Sequence, residues 1–405
     1  MMWRRISRSG PRRTRLRQRG IALAMTLFTL VLLALAVATS TLIASADIRA
    51  TRNYRGASEV HFVAESALSE AVQRLNAVGV VDFQNDVVGR WPSTWGPVKH
   101  GFAPLPGFTY TVTPVPSVAD PAGAGQLVAT ADGPEGEHNV TVANVVRSNI
   151  PSAAPGAIYL ATDATTNTVF HGGILAVTGS DHDCAGGPGS GSPVPGISTR
   201  NATNTQNAIN SLDTDQKYTV QGLGFSSLPP VTPSVSTSAA APSIAQVGQL
   251  VDDLLGRPGV VTNGMSQIDG NATFGTTSAP VITHFTDAAG VTLKGYASGA
   301  GIAIVDGDLT IQGTLNFVGL VLTRGRTNVR NALSLAGVIG NGTICGSLWT
   351  QDVNLDVGSS LLVGYSTQAL VLANQVGGGG ALPAPLRITT LADCAVLPAA
   401  TGGCP

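Results

Sequence analysis

The feature that most limits how this chain can fold is a run of twenty-six residues without a charge, Ile21 to Ala46, behind a leader of eight arginines and no acid. An uncharged apolar run of this length is sufficient to cross the hydrocarbon core of a bilayer as one helix. Because basic flanks stay on the cytoplasmic side, the leader is expected inside and everything after Asp47 across the membrane. A secretory signal peptide has a shorter apolar core followed by a small-residue cleavage site. Here the core is too long and its downstream side keeps a helical pattern, so cleavage is expected ahead of the apolar segment.

The helical pattern continues from Asp47 to Leu75 without proline, broken only by the modest penalty of Gly56. Val60, Val63, Ala67, Ala71 and Leu75 recur at spacings of three and four, which places them on one stripe that needs a partner. At 1.5 Å per residue, residues 21–77 form a rod of about 85 Å. Its first half is expected in lipid and its second half on a soluble domain, with Gly79 as the stop. From Gly107 to Val146 the period changes to two: Phe108 to Thr113, Gln126 to Ala131 and His138 to Val146 read as three antiparallel strands joined by glycine turns. This meander is expected to cover the stripe.

Charge sorts the partners. The 15 basic residues beyond Gly20 face 24 acidic ones, a formal balance of about −9. Grouped cations are what neutralise phosphates, so nucleic acid is excluded as a partner. With only 12% charged residues and 49 glycines in 405, the remainder favours turns and β structure over further helices.

The Arg19-Gly20 junction, the long apolar helix, the Ala-Glu-Ser-Ala-Leu-Ser-Glu-Ala segment at 64–71 and the meander together resemble a type IV pilin, most closely minor pilins of the PilX type, over residues 17–148. The resemblance implies that a prepilin peptidase cuts after Gly20 and methylates the new amine of Ile21. It also implies a bacterial inner-membrane, single-pass chain that passes into a pilus. Packing against other pilins would use the face carrying Ala22, Leu23, Met25, Leu27, Leu30 and Leu33. At Met25 the major pilins carry Glu, whose carboxylate meets a neighbour's terminal amine in the membrane, where an unpaired charge is costly. Its absence is shared with tip-located pilins, including secretion pseudopilins of the GspK type, and favours a tip or priming role. An uncleaved membrane anchor is the plainer alternative.

Beyond Pro155 the composition turns to Gly, Thr, Asn and Ser. Short helices are expected near Thr205–Leu212, within a loop excursion over 185–240, and at Ser243–Leu255, capped by Ser243 and stopped by Gly256 and Pro258. Between 300 and 375, short apolar runs begin at Ile302, Leu309, Val318, Leu335, Ser347, Val353 and Leu361, separated by Gly, Asp and Asn. They suit a parallel β-solenoid, while the irregular period leaves a β-sandwich open. The turns at 179–183 and 305–310 resemble those of domains joined to PilX-type N-termini in pilus-assembly proteins. The fold expected is α+β: a transmembrane pilin helix with a small meander (21–150), a β-rich domain (151–380) and a C-terminal tail (381–405).

Candidate chemistry is sparse. Four cysteines beyond the membrane fit an oxidising compartment; Cys394 with Cys404 and Cys184 with Cys345 is the preferred pairing of three, and free thiols are the alternative. Asp181, His182 and Asp183, beside Cys184, are the densest set of potential metal ligands, but adjacent residues point in different directions, so a hydrogen-bonded turn explains them more simply. Asp306 and Asp308 flank Gly307 and invite comparison with the paired carboxylates of β-helix lyases and glycosidases, with turn capping the cheaper account. There is no nucleophile elbow, phosphate loop or zinc helix motif. No catalytic residue and no cofactor is therefore assigned. A structural filament protein leads, with possible surface or secreted ligands for the outer domain, ahead of a secretion pseudopilin and a membrane-tethered carbohydrate-active enzyme.

Overall fold

The computed structural model describes residues 15–89, 91, 99–148, 151–238, 241–331 and 339–394, with the backbone alone at 15–22, 77 and 78. Helix α1 (Arg15–Val78) runs unbroken for 64 residues, starting at Arg15 rather than at the expected Ile21. The Arg, Leu and Gln residues before Gly20 are good helix formers, and one glycine costs only about 1 kcal/mol, too little to stop propagation. Gly79 ends it with φ at +79°, where its N–H reaches Leu75 O at 2.9 Å. A Cβ there would lie 2.6 Å from Pro383, so only glycine can make this turn.

The second half of α1 lies on an antiparallel sheet of β1 (His100–Gly101), β2 (Thr109–Pro116), β3 (Ala124–Asp132) and β4 (His138–Arg147). Strand β3 alternates buried and half-buried residues along its whole length, because one face meets the helix and the other meets solvent. Val60, Val63, Ala64, Ala67, Leu68 and Ala71 are buried against Tyr110, Val112, Leu127, Ala129 and Val145. Small residues on the helix let the sheet approach closely, while Leu68 and Leu127 each contribute about 1.5–3 kcal/mol of burial.

After β4 come β5 (Ile158–Leu160), β6 (Ile174–Thr178), β7 (Ile197–Thr199), helix α2 (Ala202–Asn210), β8 (Val220–Gln221), β9 (Val235–Thr237) and helix α3 (Ile244–Leu255). The expected loop excursion thus holds strands and a helix. Its helix begins at Ala202 rather than Thr205, because the Asn201 side chain accepts from Asn204 N and starts the first turn there. Ser243 and Gln246 form a capping box that starts α3.

The chain then climbs through β10 (Val260–Asn263), β11 (Gln267–Ile268), β12 (Ala272–Phe274), β13 (Val281–Phe285), β14 (Gly290–Leu293), β15 (Tyr296–Val305), β16 (Asp308–Ile311), β17 (Thr314–Thr323), β18 (Arg326–Val329), β19 (Asn341–Thr350), β20 (Asp352–Leu355) and β21 (Ser360–Tyr365). Helix α4 (Thr367–Asn374) follows. Every named strand pair in this part is parallel: β15 pairs β17, β17 pairs β19, and β16 lies between β14 and β18. Each coil therefore stacks on the one before it. The predicted runs at 302, 318 and 347 are the second halves of ten-residue strands, and the run beginning at Leu335 falls outside the described residues but for Ile339.

The long strands bend at glycines that share one register, Gly301, Gly319 and Gly346, with φ of +114°, +132° and +135°. A Cβ on Gly319 would sit 2.0 Å from Gly301 O, and one on Gly346 1.9 Å from Gly319 O. The corner can be turned only by stacked glycines. Before the corner the strands form a first face and after it a second face. The shorter strands β11, β14, β16, β18 and β20 form a third.

The stack is not laid down in chain order. Strand β21 pairs β19 on one side and β6 on the other, and β5 pairs β19 and β7. The earlier segment thus sits on top of the later one, and α3 lies between the top of the stack and its bottom in sequence. A second crossing completes the first domain: β22 (Leu386–Asp393) pairs antiparallel with β4. The expected three-stranded meander is a five-stranded sheet, and part of the expected tail is its edge strand. Without β22, β4 would present a row of unpaired backbone groups.

Candidate functional site

The apolar half of α1 is bare. Leu23, Met25, Leu27, Leu30 and Leu33 are all more than 60% exposed, whereas the stripe from Val60 to Ala71 is buried and Leu75 partly so. Gly20, Ile21 and Ala22 lie in the helical backbone. The helix is long and apolar enough to cross a membrane. Its hydroxyls are already spoken for: Thr26, Thr29, Ser40, Thr41 and Ser45 each donate to the carbonyl three residues back, at 2.8–2.9 Å. In a medium without water these bonds remove the cost of a free hydroxyl. A reading of periodicity misses this, although Ser and Thr scattered through an apolar run are its signal.

The potential metal ligands at 181–184 do separate jobs. Asp181 accepts from Thr367 N at 2.7 Å, Thr367 Oγ1 at 2.9 Å and Gly191 N at 2.6 Å. Burial pushes its carboxyl up, but these donors outweigh that and hold it below the ordinary carboxylate range. The His182 ring meets Tyr365 O at 2.7 Å through Nδ1. Asp183 accepts from Ala185 N and Gly187 N. Cys184 is bonded to Cys345. Together they form a strap that leaves β6, crosses β21 and is anchored on β19. A Cβ on Gly364 would be 2.2 Å from the His182 ring, so glycine in β21 lets the strap lie flat. Among the described residues, no group of three His, Cys, Asp or Glu is placed to hold a metal ion.

Asp306 and Asp308 are engaged by different coils. Asp306 meets His284 Nε2 at 2.8 Å and Arg324 Nε at 3.7 Å. Asp308 accepts from Arg326 N at 2.8 Å and Asn328 Nδ2 at 3.3 Å. Both tie successive coils together at the turn between the second and third faces. Cys394 is also disulfide-bonded, and Cys404 lies outside the described residues.

The junction between the two domains was not visible in the sequence. Arg147, at the end of β4, donates to Val80 O at 2.7 Å, to Gly380 O at 3.0 Å and to Leu382 O. Arg257 donates to Gly379 O at 2.8 Å and Gly380 O at 2.6 Å. Burial lowers the pKa of both guanidiniums, yet arginine stays charged and supplies a planar fork of donors. The run Gly377 to Gly380 offers its carbonyls because all four have positive φ. Asn76 adds a reciprocal pair with the Leu386 backbone at 2.7 and 3.2 Å. Two arginines distant in sequence carry no pattern that would announce a shared strand of carbonyls.

No family model matches the chain, and no curated protein does. Among solved structures, the competence-associated pilin ComZ from Thermus thermophilus aligns with a TM-score of 0.22 and 11% identity, over 84% of this chain and 97% of that one. A likeness of that score carries no argument about fold or role.

Proposed function

We propose that this chain is a minor type IV pilin, non-enzymatic, with a tip or priming position, whose α1 is cut after Gly20 and packed among other pilin helices. The carrying observation is the contrast within one unbroken helix: the half after Val60 buries one face against its own sheet, and the apolar side chains of 23–46 are all exposed. That division suits a segment held first in the inner membrane and then among like helices, with Ala34, Ala36 and Ala38 allowing close approach. Methylated Ile21, the absence of a carboxylate at Met25, and display of the parallel stack, read as a β-solenoid, complete the proposal. A pseudopilin of a secretion system shares the helix chemistry and differs in its machine.

Intact mass and N-terminal analysis of the protein from cells with an active prepilin peptidase provide the test. Loss of residues 1–20 with a methyl group on Ile21 is expected. Retention of the arginine leader would reduce α1 to an anchor. Replacing Leu30 or Leu33 by Asp is expected to abolish membrane retention and filament incorporation, and normal incorporation of either variant would count against helix packing as the assembly contact.

A further inference from the structure

The three faces of the stack have different surfaces. Helix α4 packs on β15, β17 and β19, and residues Gly301 to Val305 are buried throughout. The second face is therefore closed. The third face carries charge, with Asp308 and Arg326 on its strands. The first face is open and neutral. Its outward positions form straight rows across the strands: Tyr296, Thr314, Asn341 and Ser360 in one, and Thr273, Ser298, Asn316, Thr343 and Leu362 in the next. None of these side chains is charged.

The rows are already ordered laterally. Asn316 Nδ2 donates to Tyr296 Oη at 3.0 Å, and Ser360 Oγ to Asn341 Oδ1 at 2.5 Å. Tyr296 stays half exposed. At the upper end the face runs into a cleft of about 590 Å³ between the sheet and the Cys184 strap, lined by Thr343, Leu362, Ala176, Thr178 and Asp183. The floor is part hydroxyl and part aliphatic, and the wall supplies the Asp183 carboxylate and the His182 imidazole.

We propose that the first face and its cleft bind a neutral, extended β-1,4-linked glycan laid across the strands. Strands repeat every 4.7–4.9 Å, about the length of one pyranose unit, so along a row successive strands can present a hydroxyl or amide to successive sugars. Sugars combine polar rims with apolar ring faces, which matches hydroxyl and amide rows beside Tyr296 and Leu362. Among the described residues the two rows carry no cation and the cleft a single imidazole, which disfavours anionic polysaccharides and nucleic acid, since these need grouped positive charge. Backbone groups within the sheet are paired with neighbouring strands, so a peptide cannot be captured on this face by strand addition. The proposal rests on the stack being the displayed part of the molecule, and it does not depend on the processing of α1.

The test uses the full chain in lauryldimethylamine oxide, a detergent without a sugar headgroup, titrated calorimetrically with cellohexaose, chitohexaose and a heparin hexasaccharide. Saturable binding of at least one neutral hexamer is expected, with none of heparin. Tyr296→Ala and Thr343→Lys, both at exposed positions, are each expected to weaken it at least tenfold. Val118→Lys, in an exposed turn of the other domain, is expected to leave it unchanged, and far-UV circular dichroism reports whether each variant is folded. Absence of binding to both neutral hexamers, preference for heparin, or affinity unmoved by both face variants would overturn the assignment. Any of these would leave the mass of the processed N-terminus as it is, so the two readings fail separately.

Discussion

The antiparallel sheet under α1 and the parallel stack beyond it are both completed by strands from a distant part of the chain, yet they are held in different ways. In the first, β22 joins an edge, and its residues stay largely exposed. In the second, the distant strands β5 and β6 stack on β19 and β21, so that β21 lies inside the sheet with neighbours on both sides. An edge strand adds one ladder of hydrogen bonds, whereas an inserted strand carries the continuity of the core. Damage to the stack should therefore cost more than damage of the same chemical size to the sheet.

Glycine substitutions provide the largest expected contrast. Gly319→Ala places a Cβ 2.0 Å from Gly301 O at a φ of +132°. Neither backbone can move without disturbing the coils above and below, and a cost upwards of about 4 kcal/mol is expected. Gly136, in a turn of the antiparallel sheet, also has positive φ, at +94°, but open space around it. Alanine there should cost only the backbone preference, roughly 1–2 kcal/mol. Thermal melts of the two variants decide this: equal losses would mean that the stacked corner is not what holds the coils.

The same contrast explains what could be read from sequence. A sheet with one face on a helix alternates residue by residue, so β2, β3 and β4 announce themselves, as does the stripe from Val60 to Ala71. In the stack, Ile302 to Val305 and Leu320 to Leu322 are buried on both sides and read as unbroken apolar runs. Their first halves, such as Tyr296 to Ala300, look like loop because hydroxyls, amides and glycines face outward. The parallel pairing offsets also vary, so no fixed repeat marks the coils: Tyr296 pairs Thr314, but Thr314 pairs Asn341. The stacking of β5 and β6 on the last coils and the return of β22 had no local signal, since a strand's partner is not written in the strand. Of the candidate site, the apolar face of α1 was legible from composition, while the strap at 181–184 was legible only as a cluster of ligating side chains. Its true use depended on Thr367, Tyr365 and Gly191, which sequence could not place beside it.

Removing the covalent part of the strap tests whether the inserted strand needs an external tie. Cys184 and Cys345 are 161 residues apart, and opening so long a loop is expected to cost about 4–5 kcal/mol in a Cys184→Ser, Cys345→Ser double variant. A melting temperature unchanged from the oxidised parent would show that strand pairing alone secures β21. Next in size is the joint between the domains. Arg147→Met keeps much of the buried stem but removes its hydrogen bonds to the carbonyls of Val80, Gly380 and Leu382, of which Val80 keeps Ala384 N and Gly380 keeps Arg257, a loss of about 2–3 kcal/mol. Proteolytic cutting within Gly377 to Gly380 should accelerate at the same time. A stability loss without faster cutting there would place the effect in the antiparallel sheet rather than at the joint.

The smallest expected effect isolates the charge of the strap. Asp181 is held below the ordinary range in the folded chain by three donors, against the opposing effect of its burial. In the unfolded chain its pKa is near the usual ~3.9. The unfolded state therefore binds the proton more readily, and the stabilisation from Asp181 is fully present above about pH 4 and disappears as pH falls through the lower folded value. Asp181→Asn copies the uncharged acid and should cost about 1–2 kcal/mol at pH 7. The difference in melting temperature between parent and variant should then narrow as pH falls below about 4 and close once it has passed the lowered folded value. Other carboxylates with lowered pKa, such as Asp132 beside Lys99, titrate equally in both proteins and cancel from that difference. A gap that stays constant with pH would mean that the strap is held by the shape of the Asp181 side chain and the tether at Cys184, with its charge contributing nothing to the seating of β21.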